Sequence, residues 1–132
     1  MKILVDTSVW SLALRRPAAA EKPVVDELRA LVDDGRVAII GPIRQELLSG
    51  IRNPSAFQQL RDHLRAFEDD ALTRDDFERA AEHFNTCRAR GLQGSNTDFL
   101  ICAAAERRGF PIFTTDADFV RFARLLPIEL HG

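Results

Sequence analysis

Short apolar runs alternate with longer amphipathic stretches along the whole chain, and this alternation restricts the fold more than any other feature. Residues 2–5, 37–40, 111–114 and 128–130 read as strands, and their near-continuous apolar character suits strands covered on both faces. The segments between them carry helical periodicity and are long enough for crossovers, so the strands are expected to run parallel. Residues 66–70 fit either a helix end or a further short strand. The expected fold is α/β, a three-layer α/β/α arrangement with a central, mainly parallel sheet of four to five strands in a single domain over residues 1–132.

Helices are expected over residues 8–14, from Pro23 with a stripe of Val24, Leu28, Leu31 and Val32, and from Gly41-Pro42 to near Gly50. Asn53-Pro54 opens a helix with Phe57, Leu60 and Leu64 on one face. Thr73 and Asp76 form a capping box before a stripe of Phe77, Ala80, Ala81, Phe84 and Cys87. These two helices are expected to pack on one another as an antiparallel hairpin. Residues 97–107 are apolar almost all round, as in a helix sandwiched in the core, and residues 117–125 form a last helix.

Four acids stand at the edges of these apolar segments: Asp6 and Asp116 just past strand ends, Glu46 inside a helix, and Asp98 at the start of the buried one. Parallel sheets gather functional groups at the carboxyl ends of their strands. Each acid also has an ordinary role open to it. Asp6 and Asp116 suit helix N-caps, although a box from Thr115 to Asp118 would cap the last helix without Asp116. Ser95 to Asp98 is itself a capping-box pattern, yet Asp98 shares a face with Ile101, Cys102 and Ala105. Glu46 falls at the border of its helix's apolar face, where a plain surface position also fits. Carboxylates that converge need a cation, since at an effective dielectric near 20 each pair about 4 Å apart repels by roughly 4 kcal/mol. An all-oxygen donor set favours Mg²⁺ or Mn²⁺ over zinc.

The formal net charge of −2 gives no bulk attraction to nucleic acid, but 16 of the 18 basic residues are arginine, the better partner for phosphate and bases. Removing four clustered acids from the balance leaves the remaining surface mildly basic. Arg15, Arg16, Arg44 and Arg52 are candidates for strand positioning, with a solvated surface role the simpler reading. Two cysteines, Cys87 and Cys102, are too few for a disulfide framework, and His83 with Cys87 lacks the further ligands of a zinc site. No apolar run approaches the roughly 20 residues of a membrane span. The opening Met1-Lys2-Ile3-Leu4-Val5-Asp6 reaches an acid too early for a signal peptide. A cytoplasmic protein with no membrane partner is expected.

In combination, Asp6-Thr7-Ser8-Val9-Trp10, Glu46 in its Pro-initiated helix, Thr97-Asp98-Phe99-Leu100-Ile101-Cys102-Ala103 and Thr114-Thr115-Asp116-Ala117-Asp118-Phe119 resemble the PIN domain, and within it the VapC-type toxins. The resemblance spans the chain, with Phe99 where many relatives carry a smaller residue. It implies a Mg²⁺-dependent endoribonuclease, with Asp6, Glu46, Asp98 and Asp116 as metal-coordinating acids. It also implies that Thr7 or Ser8 and Thr115 support them through hydrogen bonds, with Asp118 as an accessory acid. It further implies a homodimer, an RNA substrate and a cognate antitoxin protein. A housekeeping RNA-processing nuclease of the same fold and a non-catalytic RNA- or protein-binding module are the alternatives. Receiver-type phosphotransfer domains fit poorly: the only lysines are Lys2 and Lys22, and Thr7 follows Asp6 where a second acid belongs.

Overall fold

Three parallel strands, Ile3–Val5 (β1), Val37–Ala38 (β2) and Ile112–Phe113 (β3), form a sheet in the order β2-β1-β3 in the computed structural model, which describes residues 1–132. Ile3 lies opposite Val37 on one side, and Val5 lies opposite Phe113 on the other. The central strand is apolar at every position because neighbours cover both its faces; Ile3, Leu4 and Val5 are at most 1% exposed. Single parallel bridges, Ile39 to Asp69 and Ile112 to Leu130, extend the sheet at its two edges. The expected fourth and fifth strands are therefore one-residue pairings. Glu68, Asp69 and Asp70 supply no apolar face to bury, and Pro127 removes a ladder donor just before Ile128.

Seven helices surround the sheet: α1 (Thr7–Leu14), α2 (Lys22–Asp33), α3 (Gly41–Leu48), α4 (Pro54–Leu64), α5 (Arg74–Ala89), α6 (Asn96–Arg108) and α7 (Asp118–Ala123). The chain leaves β1 toward β2 on one side and returns to β3 on the other. Right-handed crossovers in opposite directions then place their helices on opposite faces, giving three layers. The reversal of strand order falls between β1 and β3, where open parallel sheets carry their functional crevice. Asp6 and Asp116 follow those two strands.

Helix α6 is the sandwiched helix expected from its composition. Phe99 and Ile101 to Ala105 are all buried, and its small residues let neighbouring elements approach closely. It ends on Gly109, whose φ of +70° is a left-handed C-cap. Asn53 caps α4 by accepting from the Ala56 amide at 3.0 Å.

Two expectations are overturned. Helices α4 and α5 do not form a hairpin; α5 packs on α6, and α4 on α3. The buried face of α5 is also rotated from the expected stripe. It consists of Asp76, Ala80, His83 and Cys87, while Phe77 and Ala81 are exposed. Charge on α6 explains the rotation. Asp76, fully buried, accepts from Arg107 Nε at 3.0 Å and from Arg108 Nη1 and Nη2 at 2.9 and 3.0 Å. Glu106 receives Arg79 and lies 2.7 Å from His83 Nε2. Buried polar groups are tolerated when partnered in this way. The pairing also accounts for His83 as a structural residue, not a zinc ligand.

Candidate functional site

Asp6 is 5% exposed and is tied to both flanking elements. Its amide donates to the Phe113 carbonyl at 2.8 Å, and its carbonyl starts α1 by accepting from Val9 and Trp10. Although Asp6 occupies the N-cap position, its carboxylate makes no capping bond. Instead Oδ2 accepts from Ser8 Oγ at 2.7 Å and from Thr114 Oγ1 at 2.8 Å. The N-cap alternative for this side chain is thereby excluded.

Asp116 is linked to the same network. Its amide donates to Thr114 Oγ1 at 3.0 Å, and its Oδ1 accepts from the Asp118 amide at 2.9 Å. The last helix begins at Asp118 with no Thr115 side-chain cap, so the proposed Thr115 box is replaced by this Asp116 turn. Thr115 contributes its backbone, donating N–H to Ser8 Oγ at 3.1 Å. The Asp118 carboxylate is held by Arg121 at 2.7 Å.

Asp98 does close the capping box: its Oδ2 accepts from the Ser95 amide, and its own amide donates to Ser95 Oγ, both at 3.0 Å. Burial pushes its carboxyl above the usual range. The two Ser95 bonds oppose that shift, and the negative charges of Asp6 and Asp116 add to it. Asp98, at the start of α6, therefore lies within electrostatic reach of the acids that follow β1 and β3. Glu46, on an exposed turn of α3, accepts from Thr7 Oγ1 at 2.7 Å. It shares a polar hollow with Thr7, Gln45, Ser49 and Thr97, the residue before Asp98. All four expected acids thus border one end of the sheet.

The donor set fits a hard divalent cation on three counts. Each acid has one oxygen fixed by a scaffold hydrogen bond and a second that accepts none. The second oxygens of Asp6, Asp98 and Asp116 face solvent, since the only buried side-chain polar atom without a partner is Trp10 Nε1. No Arg, Lys or His side chain pairs with any of the four. The carboxylates are not drawn into a closed cage, and no three Asp, Glu, His or Cys side chains stand at ligating range.

Thr114 is the site residue that sequence reasoning passed over. Its signal is a β-branched hydroxyl at a strand's carboxyl end, and its neighbour Thr115 carries the same one. Only the pleat, which sends alternate side chains to opposite faces, separates the two. Arg44 is spoken for structurally, donating to Asp69 and to the Leu64 and Phe67 carbonyls, and Arg15 pairs with Glu21.

A family model described as "PIN domain" matches residues 3–125. Ribonuclease VapC11 of Mycobacterium tuberculosis is 33% identical over 133 residues, covering 96% of each chain. VapC ribonuclease Mb1587 of Mycobacterium bovis has the same identity and coverage. Among solved structures, VapBC2 from Rickettsia felis, bound to a DNA fragment from its promoter, aligns with a TM-score of 0.79 at 18% identity over 99% of this chain and 98% of that one. FitAcB from Neisseria gonorrhoeae aligns at 0.78 and 20% identity, covering 98% and 96%. These structural likenesses bear on the fold.

Proposed function

Because the chain belongs to the PIN-domain family, we propose that it is a metal-dependent endoribonuclease acting as the toxin of a toxin–antitoxin pair. The observation that carries this reading is the paired use of each carboxylate: one oxygen anchored by the fold, the other free beside like charges and without a cationic partner. Asp6, Glu46, Asp98 and Asp116 would hold Mg²⁺, with Mn²⁺ an acceptable substitute. When bound, the ion supplies charge neutralisation at the scissile phosphate and acidifies a water. Ser8 and Thr114 hold Asp6 in one rotamer, Thr7 holds Glu46, and Ser95 holds Asp98, so the free oxygens are positioned before substrate arrives. Hydrolysis in line with the departing 3′-oxygen leaves 5′-phosphate and 3′-hydroxyl ends.

Near-full-length identity to proteins named ribonucleases supports the RNA substrate. Fold likeness to a chain of a toxin–antitoxin complex from Klebsiella pneumoniae, with a TM-score of 0.64, supports a protein antitoxin as partner. A cytoplasmic homodimer organised as one domain completes the reading. No helix is long and apolar enough to cross a membrane. The test incubates purified protein with total RNA and Mg²⁺, beside an EDTA control and Asp6→Asn. Discrete cuts lost in both controls support the nuclease; identical patterns in all lanes contradict it.

A further inference from the structure

The polar hollow beside Glu46 encloses about 520 Å³ between Thr7, Pro42, Gln45, Glu46, Ser49 and Thr97. Its lining contains no aromatic ring and no cationic group. Four other hollows on the surface each carry an aromatic or cationic side chain. Two of its hydroxyls are engaged within the protein. Thr7 Oγ1 donates to Glu46 at 2.7 Å, and Ser49 Oγ donates to the Gln45 carbonyl at 2.7 Å. The Gln45 side-chain amide and the Thr97 hydroxyl make no such bond, and neither is a buried orphan, so both are open to solvent.

That lining selects among the parts of a nucleotide. A base is held by stacking on a ring, and a phosphate by cationic side chains; the hollow offers neither. A neutral amide and a hydroxyl, each able to donate and to accept, complement a sugar hydroxyl, which does both. The hollow also reaches the acids. Glu46 is part of its wall, Thr7 follows Asp6, and Thr97 precedes Asp98. The reaction itself does not distinguish RNA from DNA, because water attacks, the 3′-oxygen departs, and the 2′-hydroxyl takes no part. A preference for RNA then depends on recognition of the sugar.

We propose that this hollow is a ribose subsite, in which Gln45 and Thr97 bind the 2′-hydroxyl of a nucleotide flanking the scissile phosphate and so select RNA over DNA. Gln45 and Thr97 are specificity residues and take no part in hydrolysis. The inference rests on the ribonuclease reading above, and its test separates the two.

A single-stranded oligoribonucleotide that the full chain cuts at one place is compared with versions carrying one 2′-deoxy or one 2′-fluoro nucleotide on either side of the cut. Cleavage with Mg²⁺ is measured for the wild type and the Gln45→Ala/Thr97→Val double variant. Melting curves verify that the variant is folded; Gln45→Ala alone, at an exposed and unbonded side chain, replaces it if it is not. In the wild type, both modifications at one of the two positions are expected to lower kcat/KM about tenfold, the scale of one lost hydrogen bond. The double variant loses a similar factor on the unmodified RNA and no longer distinguishes the three sugars. A wild type indifferent to the sugar, or a variant that keeps the full distinction, overturns the proposal. So does a loss with 2′-deoxy but not 2′-fluoro, which marks sugar pucker as the feature read. A change in sedimentation mass with the distinction intact overturns it as well, and marks the hollow as a protein interface. If the wild type cleaves no RNA, the hydrolytic reading fails, and fluorescence anisotropy of labelled all-ribose and all-2′-deoxyribose oligonucleotides of one sequence decides the subsite. Ribose binding about tenfold tighter in the wild type and equal to deoxyribose in the double variant supports it. No binding, equal binding in the wild type, or a preference that the variant keeps overturns it.

Discussion

The Thr114 hydroxyl donates to Asp6 Oδ2 at 2.8 Å, joining residues 108 positions apart in sequence at the carboxyl ends of adjacent parallel strands. The same hydroxyl accepts from the Asp116 amide. One side chain thus sets the rotamer of one strand-end acid and the backbone of the other. Thr114→Val keeps the shape and removes both bonds, with an expected cost of about 1–2 kcal/mol in stability and a fall in kcat of about 10–100-fold. Thr115→Val, whose hydroxyl is exposed and unbonded, is expected to leave both nearly unchanged. Chemical denaturation and single-turnover cleavage of the two variants check the contrast.

Asp98 is held against its own chemistry, with burial and the charges of Asp6 and Asp116 both disfavouring the carboxylate. Asp98→Asn retains the acceptor for the Ser95 amide while removing the repelled charge. Without divalent ions, this variant is therefore expected to melt above the wild type at neutral pH. Mn²⁺ raises the wild-type Tm and leaves the variant's unmoved, while RNA cleavage falls more than about 100-fold. Thermal melts with and without Mn²⁺ test both signs.

Much of this site was legible in the sequence because strand ends and caps leave local marks. Asp6 and Asp116 end apolar runs, and Ser95-x-x-Asp98 opens one. The outward turn of Phe77 and Ala81 was not legible. Apolar periodicity along α5 counts Asp76 and His83 as polar and places them outside; the bonds with Arg107, Arg108 and Glu106 on α6, together with the Thr73 cap on Asp76, make their burial tolerable. The edge pairings at Asp69 and Leu130 were overextended for a similar reason: apolar residues mark a strand position without fixing how many ladder bonds it makes.

The hydrogen bond from Arg108, joined by the Thr73 amide and the nearby guanidinium charges, outweighs burial and holds the Asp76 carboxyl down to about 2. A group whose folded pKa lies below its unfolded value of roughly 3.9 stabilises the fold above that value and loses the contribution as pH falls toward the folded one. Asp76 is thus worth about 2 kcal/mol at neutral pH. Asp76→Asn is expected to lower stability by at least that much at pH 7, and the gap between variant and wild type should close between about pH 5 and pH 2. Urea titrations across that range measure it.

Gly94 is required by packing. A Cβ there would stand 2.8 Å from Phe122 Cζ and 3.0 Å from Phe99 Cε2 and Cζ, two buried rings. Gly94→Ala is expected to cost about 1–3 kcal/mol and to displace the adjoining Ser95 cap, lowering cleavage along with stability. Backbone amide exchange at Asp98, faster in the variant, would trace the effect to the cap.

Titration of Mn²⁺ into the full chain, followed by the electron paramagnetic resonance of the free ion, addresses the acid cluster most directly. The expected result is saturable binding displaced by Mg²⁺ and weakened at least about tenfold by Asp6→Asn, Asp98→Asn or Asp116→Asn. Binding that is absent in the wild type, or equal in all four proteins, would contradict the assignment of these carboxylates as one metal site.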